Sequence, residues 1–322
     1  MSTKLFHRLA IAAAALLALI VVTGAAVRLT SSGLGCPTWP RCTPHSFVAP
    51  PSYHALVEFV NRVVSAAVGI FVGIVAVAAL LRRPRRGDLT WLAWSLVAGF
   101  VGQAVIGGLS VRYGLAPGWV MAHFLLSMVL LWAALLLVHR AHPDPAPTTR
   151  PMRRELRTLV YVLATVASAV LVLGTVTTGT GPHAGDSTRH VTRLALPLER
   201  VTQLHADAAL LLTGLVVATL FAVRLTDTST VVRRRSALLA AAVGVQVVIG
   251  YVQYFLNLPA SVVELHVAGA TALWCAAIWL ALAMTPVTTD RRSGRAEVVD
   301  GAMVGVHDGS IVSQHDRIEA HP

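Results

Sequence analysis

Two histidines occupy matching places along this chain. Gln103 opens the stretch Gln103-Ala104-Val105-Ile106-Gly107, and His123 stands twenty residues beyond it; Gln246 opens Gln246-Val247-Val248-Ile249-Gly250, and His266 stands at the same spacing. Laid over each other without a gap, residues 103–123 and 246–266 also agree at Leu115/Leu258 and Val120/Val263. A third histidine, His205, lies in another apolar stretch, and Glu58 and Asn61 hold the comparable place in the first half. Ionisable groups inside apolar segments are costly, so a repeated one needs a chemical reason. Two imidazoles facing each other at one level supply the axial nitrogens of a haem iron, while the porphyrin supplies the other four ligands. Zinc instead asks for a fuller protein ligand set, with thiolates or carboxylates in it, and His205 and His266 have no such company. The plainer alternative is a pair of histidines hydrogen-bonded across helices, and it leaves the matching His123 without a reason.

Asn61 breaks the symmetry between the halves. An amide is a poor iron ligand, so one axial position there is open or held by another group. Glu58 lies one helical turn earlier, on the same face as Asn61. Arg62 is adjacent, a partner either for a haem propionate or for Glu58. Glu58 could also be a surface carboxylate facing water. An open coordination position beside a carboxylate suits oxidation of a bound molecule, whereas a closed two-histidine site suits electron transfer. Substrate chemistry is therefore expected in the first half, with Glu58 and Asn61 as the catalytic candidates, and an electron relay in the second.

These groups are positioned by an all-α integral membrane architecture. Of the 322 residues, 55% are hydrophobic and only 13% charged, against roughly 25% charged in soluble domains. Eight apolar stretches, near 9–27, 57–81, 91–110, 119–139, 157–177, 202–223, 236–256 and 261–285, reach the length of about 20 residues that spans a bilayer. In lipid the backbone must satisfy its own hydrogen bonds, so the stretches are helices. The first could be a cleaved signal peptide, with Lys4 and Arg8 ahead of it and small residues over 23–26. Its apolar run of about 19 residues exceeds the usual 7–15 or so of such peptides, and it is read as a span.

The repeat divides the chain into two four-helix bundles of the same orientation, related by a pseudo-two-fold axis along the membrane normal. Residues 1–141 form the first and 157–285 the second. The Pro-rich segment 142–156 is an extended cytoplasmic linker, and the polar residues 286–322 are a disordered cytoplasmic tail. The segments 30–35 and 176–181 sit at corresponding ends of the first and fifth helices. Arginine clusters at 82–86, 140–157, 224–235 and 291–295 place both termini in the cytoplasm, and this bias carries most of the net charge of +11. No basic soluble face exists for nucleic acid. His123, His205, His266, Glu58 and Asn61 then share one level, about 4–5 residues or roughly 6–8 Å inside helices that start at the outer face. Cys36 and Cys42 flank Pro37-Thr38-Trp39-Pro40-Arg41 in the first outer loop, where an oxidising compartment favours a disulfide. Whether the pair is a staple or redox-active is open from spacing alone. Cys275, inside the last helix, is a small buried apolar residue.

Gly35-Cys36-Pro37-Thr38-Trp39-Pro40-Arg41-Cys42, Glu58-Phe59-Val60-Asn61-Arg62, residues 103–108 with His123, residues 178–186, Gln203-Leu204-His205-Ala206-Asp207 and Glu264-Leu265-His266 together resemble the haem A synthases across residues 5–285. The resemblance implies a bacterial plasma-membrane enzyme that oxidises the C8 methyl of haem O, through an alcohol and a hydrate, to the formyl group of haem A for terminal oxidase assembly. It implies haem b as cofactor on His205 and His266, haem O as substrate on His123, Glu58 as the family's carboxylate and Cys36–Cys42 as its loop disulfide. Many members carry histidine where this chain has Asn61. The partners implied are haem O, membrane lipid, a haem O synthase and a terminal oxidase assembly factor. Two rivals are a b-type membrane cytochrome that relays electrons without making a haem product, and a transporter built from a repeat.

Overall fold

The computed structural model describes residues 1–143, 153–187 and 190–284. Its elements are eight helices: α1 (Thr3–Leu29), α2 (Tyr53–Leu81), α3 (Gly87–Arg112), α4 (Pro117–Arg140), α5 (Arg154–Thr180), α6 (Leu198–Leu225), α7 (Thr230–Phe255) and α8 (Ala260–Leu282). All eight are long and apolar enough to cross a membrane. The expected linker lies largely, and the tail wholly, outside the described residues.

Most helices start earlier than their apolar runs. Ser2 caps α1 by accepting from the Leu5 amide, and Ser229 caps α7 by accepting from the Val232 amide, so polar turns extend both ends. The level of the site groups needs correction for the same reason. His123 lies six residues past the start of α4 (117 to 123), His266 six past that of α8 (260 to 266) and His205 seven past that of α6 (198 to 205). Glu58 and Asn61 lie five and eight residues past the start of α2 (53 to 58 and 61). Each is deeper than the apolar run alone suggests, and they spread over about one turn.

Around the first four helices, α1 touches α2 and α4, and α3 touches α2 and α4; α5, α6, α7 and α8 neighbour one another in the same cyclic order. Among the described residues, α2 does not pack on α4, nor α6 on α8. Those pairs face each other across a gap, and they carry the site groups. α4 meets α5 and α8, and α1 meets α8. The seam is pinned where Trp274 Nε1 donates to Met128 O at 2.9 Å, one buried polar bond between α8 and α4.

The repeated residues have repeated structural tasks. Gln103 Nε2 donates to His123 O at 3.0 Å, and Gln246 Nε2 donates to His266 O at 2.9 Å, so each glutamine ties its helix to the next at the histidine's level. The repeated leucine ends a helix cap. Leu115 N donates to Ser110 O and Leu258 N to Gln253 O, both at 2.7 Å, with Gly114 and Asn257 in the left-handed region before them. This is the six-to-one bond that closes a helix with a left-handed residue. Leu115 then wedges between the loops that follow α1 and α5: a Cβ on Gly33 or Gly185 would meet its Cδ1 at 2.9 Å.

Candidate functional site

The rings of His205 and His266 reach toward each other across the gap between α6 and α8. Their centroids are 6.3 Å apart with an interplanar angle of 67°. Two imidazole–metal bonds of about 2 Å, plus roughly 1.1 Å on each side from nitrogen to ring centre, span about 6.2 Å, so the spacing suits one metal between them. His205 Nδ1 lies 3.1 Å from Val170 O. A carbonyl only accepts, so Nδ1 carries the proton and Nε2 keeps its lone pair for a ligand bond. No hydrogen bond joins the two histidines among the described residues, and both Nδ1 of His266 and Nδ1 of His123 are buried without a partner. The donor set is two neutral imidazoles and no thiolate or carboxylate bond, which fits a haem iron.

Glycines make room for all three rings. A Cβ on Gly174 would stand 3.1 Å from His205 Cε1, one on Gly107 3.1 Å from His123 Cε1, and one on Gly250 3.7 Å from His266 Cε1. Gly107 and Gly250 are repeat partners, so their conservation between the halves has a packing cause. Gly174 lies in α5, outside the matched stretches 103–123 and 246–266.

In the other half, Asn61 Oδ1 is buried without a partner. Asn61 also lines a recess of about 370 Å³ between α1 and α2, with Thr23, Ala26, Val27, Val60 and Val64. Glu58 is 5% exposed. Its Oε1 accepts from Arg62 Nε at 3.1 Å and Nη2 at 2.5 Å, and its Oε2 accepts the Cys36 amide at 2.7 Å. Oε1 is thus saturated, while Oε2 keeps one lone pair free.

Of the two partners considered for Arg62, the structure supplies Glu58. The guanidinium also donates from Nη1 to Thr38 O at 3.0 Å and Arg41 O at 3.3 Å, and from Nη2 to Cys36 O at 3.0 Å. A guanidinium has five N–H donors, and these bonds with Glu58 use all five, so none is left for a propionate. Arg62 instead clamps the loop that Cys36 and Cys42 close as a disulfide. The far side of that loop rests on α3, where a Cβ on Gly108 would meet Trp39 Cδ2 at 2.7 Å. The loop therefore covers the end at which α2 begins and α3 finishes.

A second polar junction, which sequence spacing does not report, joins the ends of α1 and α5. Ser32 bridges Asp186, and Gly33 N donates to Gly185 O at 2.8 Å. Arg28 and Arg193 both donate to Thr178 O, at 2.9 and 2.5 Å. These contacts are set by loops distant in sequence, which no local spacing reports.

A family model described as cytochrome oxidase assembly protein matches residues 7–53 and 51–278. The chain belongs to this family. The residues matched to the family model include Cys36, Cys42, Glu58, Asn61, His123, His205 and His266. With its eight long apolar helices it is a multi-pass membrane protein. It is similar to proteins named heme A synthase. That of Symbiobacterium thermophilum is 33% identical over 180 residues, 53% of this chain and 58% of the relative. That of Alkalihalophilus pseudofirmus is 28% identical over 159 residues, 48% and 54% of the two chains. That of Halalkalibacterium halodurans is 27% identical over 158 residues, 49% and 53%. The chain spans about half the length of the curated relatives it matches.

Proposed function

We propose that this protein is a haem A synthase, oxidising the C8 methyl group of haem O to a formyl group to give haem A for a terminal oxidase. One observation carries the reading: a histidine pair at metal-bridging distance in the second half, against a single histidine with Asn61 and a buried carboxylate in the first. In this reading α1–α4 form the substrate bundle and α5–α8 the relay bundle. A b-type cytochrome without a product would use two closed sites, and Asn61 speaks against it.

His205 and His266 hold haem b, which supplies one-electron transfer when bound. His123 holds the iron of the substrate and leaves the opposite side, near Asn61, open. Two successive two-electron oxidations, each adding the oxygen of a water and releasing two protons, take the methyl carbon to an alcohol and then to a hydrate; an external oxidant accepts the four electrons, and loss of water gives the aldehyde. Glu58 serves through the free lone pair of Oε2, meeting positive charge that develops at the methyl carbon or taking its proton. Arg62 holds that carboxylate in place through two hydrogen bonds, and the disulfide loop covers it. The protein sits in a bacterial plasma membrane with both termini in the cytoplasm, which the arginine-rich loops support. The disulfide loop then faces the oxidising side. A haem O synthase supplies the substrate, and an oxidase assembly factor takes the product.

Expression beside a haem O source, followed by chromatography of extracted haems, tests the proposal. Haem A should appear only with this protein; haem O with bound haem b and no haem A would favour the cytochrome.

A further inference from the structure

The outer junction holds two guanidiniums on one carbonyl. Arg28, in the last turn of α1, donates through Nη2 to Thr178 O and to His183 O. Arg193 donates through Nη2 to the same Thr178 O and, at 2.6 Å, to Gly181 O. Among the described residues neither arginine is paired with a carboxylate. The Nε–H of Arg193 is buried and has no acceptor. A buried charged donor left unmatched is among the more expensive defects in a folded chain, so an acceptor is missing. Burial holds the Arg193 guanidinium below its ordinary pKa.

Arg193 also lines a recess of about 590 Å³ with Gly181, His190, Leu198 and Leu258. Leu198 begins α6, and Leu258 lies just before α8. The recess is thus the outer mouth of the gap between those helices. His205 and His266 lie seven and six residues further in, or about 9–11 Å at the helical rise. That is the scale of the reach from a haem iron to its propionates.

We propose that this recess is an oxyanion site in which the Arg193 guanidinium, backed by the charge of Arg28, holds a propionate of the porphyrin ligated by His205 and His266. The inference rests on the two-histidine haem site proposed above. The contact comes from guanidinium donors other than those of Nη2, which are committed to Thr178 O and Gly181 O. A lipid phosphate shares the chemistry, and the experiment separates the two sources.

Protein produced in haem-deficient cells is titrated with protohaem and with its dimethyl ester, whose propionates are masked. The parent protein should bind the ester about 10–100-fold more weakly, the cost of one charged hydrogen bond. Arg193→Gln should weaken protohaem binding by a similar factor and bring the ratio between the two porphyrins toward one. Its bound haem should also shift to a more negative reduction potential, because a nearby positive charge is gone. Arg193→Lys, which keeps the charge, serves if the glutamine variant fails to fold, and should keep part of the preference for the diacid. An unchanged preference in a folded variant overturns the inference, and so does loss of co-purified phosphatidylglycerol with that preference intact. If the parent protein shows a two-histidine spectrum yet binds both porphyrins equally, only this inference falls. If it binds neither, the haem site falls with it.

Discussion

Glu58 Oε2 accepts the backbone amide of Cys36 at 2.7 Å, which ties the buried carboxylate of α2 to the disulfide loop. Position and covering of the carboxylate are therefore one structural problem. Arg62 joins the same unit from one turn further along, reaching Glu58 and three loop carbonyls.

Glu58→Gln tests that carboxylate. The amide oxygen can still accept the Cys36 amide, but the carboxylate oxygen that accepts from Arg62 is lost. Haem A formation should fall by about 10²–10³, the scale for removing one strong electrostatic contact from a reacting site. Haem b content should stay at the parent level. Haem A at the parent rate would make Glu58 a loop anchor only.

The disulfide gives a direct chemical readout. Alkylation under denaturing, non-reducing conditions should label Cys275 alone, since Cys36 and Cys42 are bonded to each other. Because Arg62 and Glu58 also hold the loop, Cys36→Ala should reduce protein yield more than activity per molecule. Three labelled thiols in protein from aerobic cells would rule the bridge out.

Glycine substitutions grade the space beside the rings. Gly174→Ala puts a methyl 3.1 Å from His205 Cε1, closer than ordinary contact, whereas Gly250→Ala stands 3.7 Å from His266 Cε1. The reduced α-band of bound haem should shift or weaken in the first variant and stay unchanged in the second. His205→Leu or His266→Leu should abolish it. Equal bands in all four would dismiss the two-histidine assignment.

Asn61→His restores a second imidazole opposite His123. Bound haem O should move to a low-spin, six-coordinate spectrum. A spectrum that keeps an open coordination position would mean that Asn61 does not face the iron.

Much of this was legible in the sequence. Eight apolar runs marked eight helices because lipid imposes both length and composition. The doubled histidine marked equivalent places in α4 and α8, because helical spacing repeats depth. The helix starts were less legible, since caps such as Ser2 and Ser229 carry polar turns beyond the apolar run. Leu115 and Leu258 were visible as repeat partners, but their capping role needs backbone angles that no residue type states. The task of Arg62 was hidden for another reason: its carbonyl partners, Cys36, Thr38 and Arg41, lie over twenty residues away in a loop.

The most direct measurement incubates purified, haem-b-loaded protein with haem O and follows the extracted haems with time, beside His123→Leu and His205→Leu variants. The account predicts haem A from the parent protein and none from either variant, with haem b retained in His123→Leu and lost in His205→Leu. Haem O recovered unchanged from the parent protein, with the two-histidine spectrum intact, would contradict it.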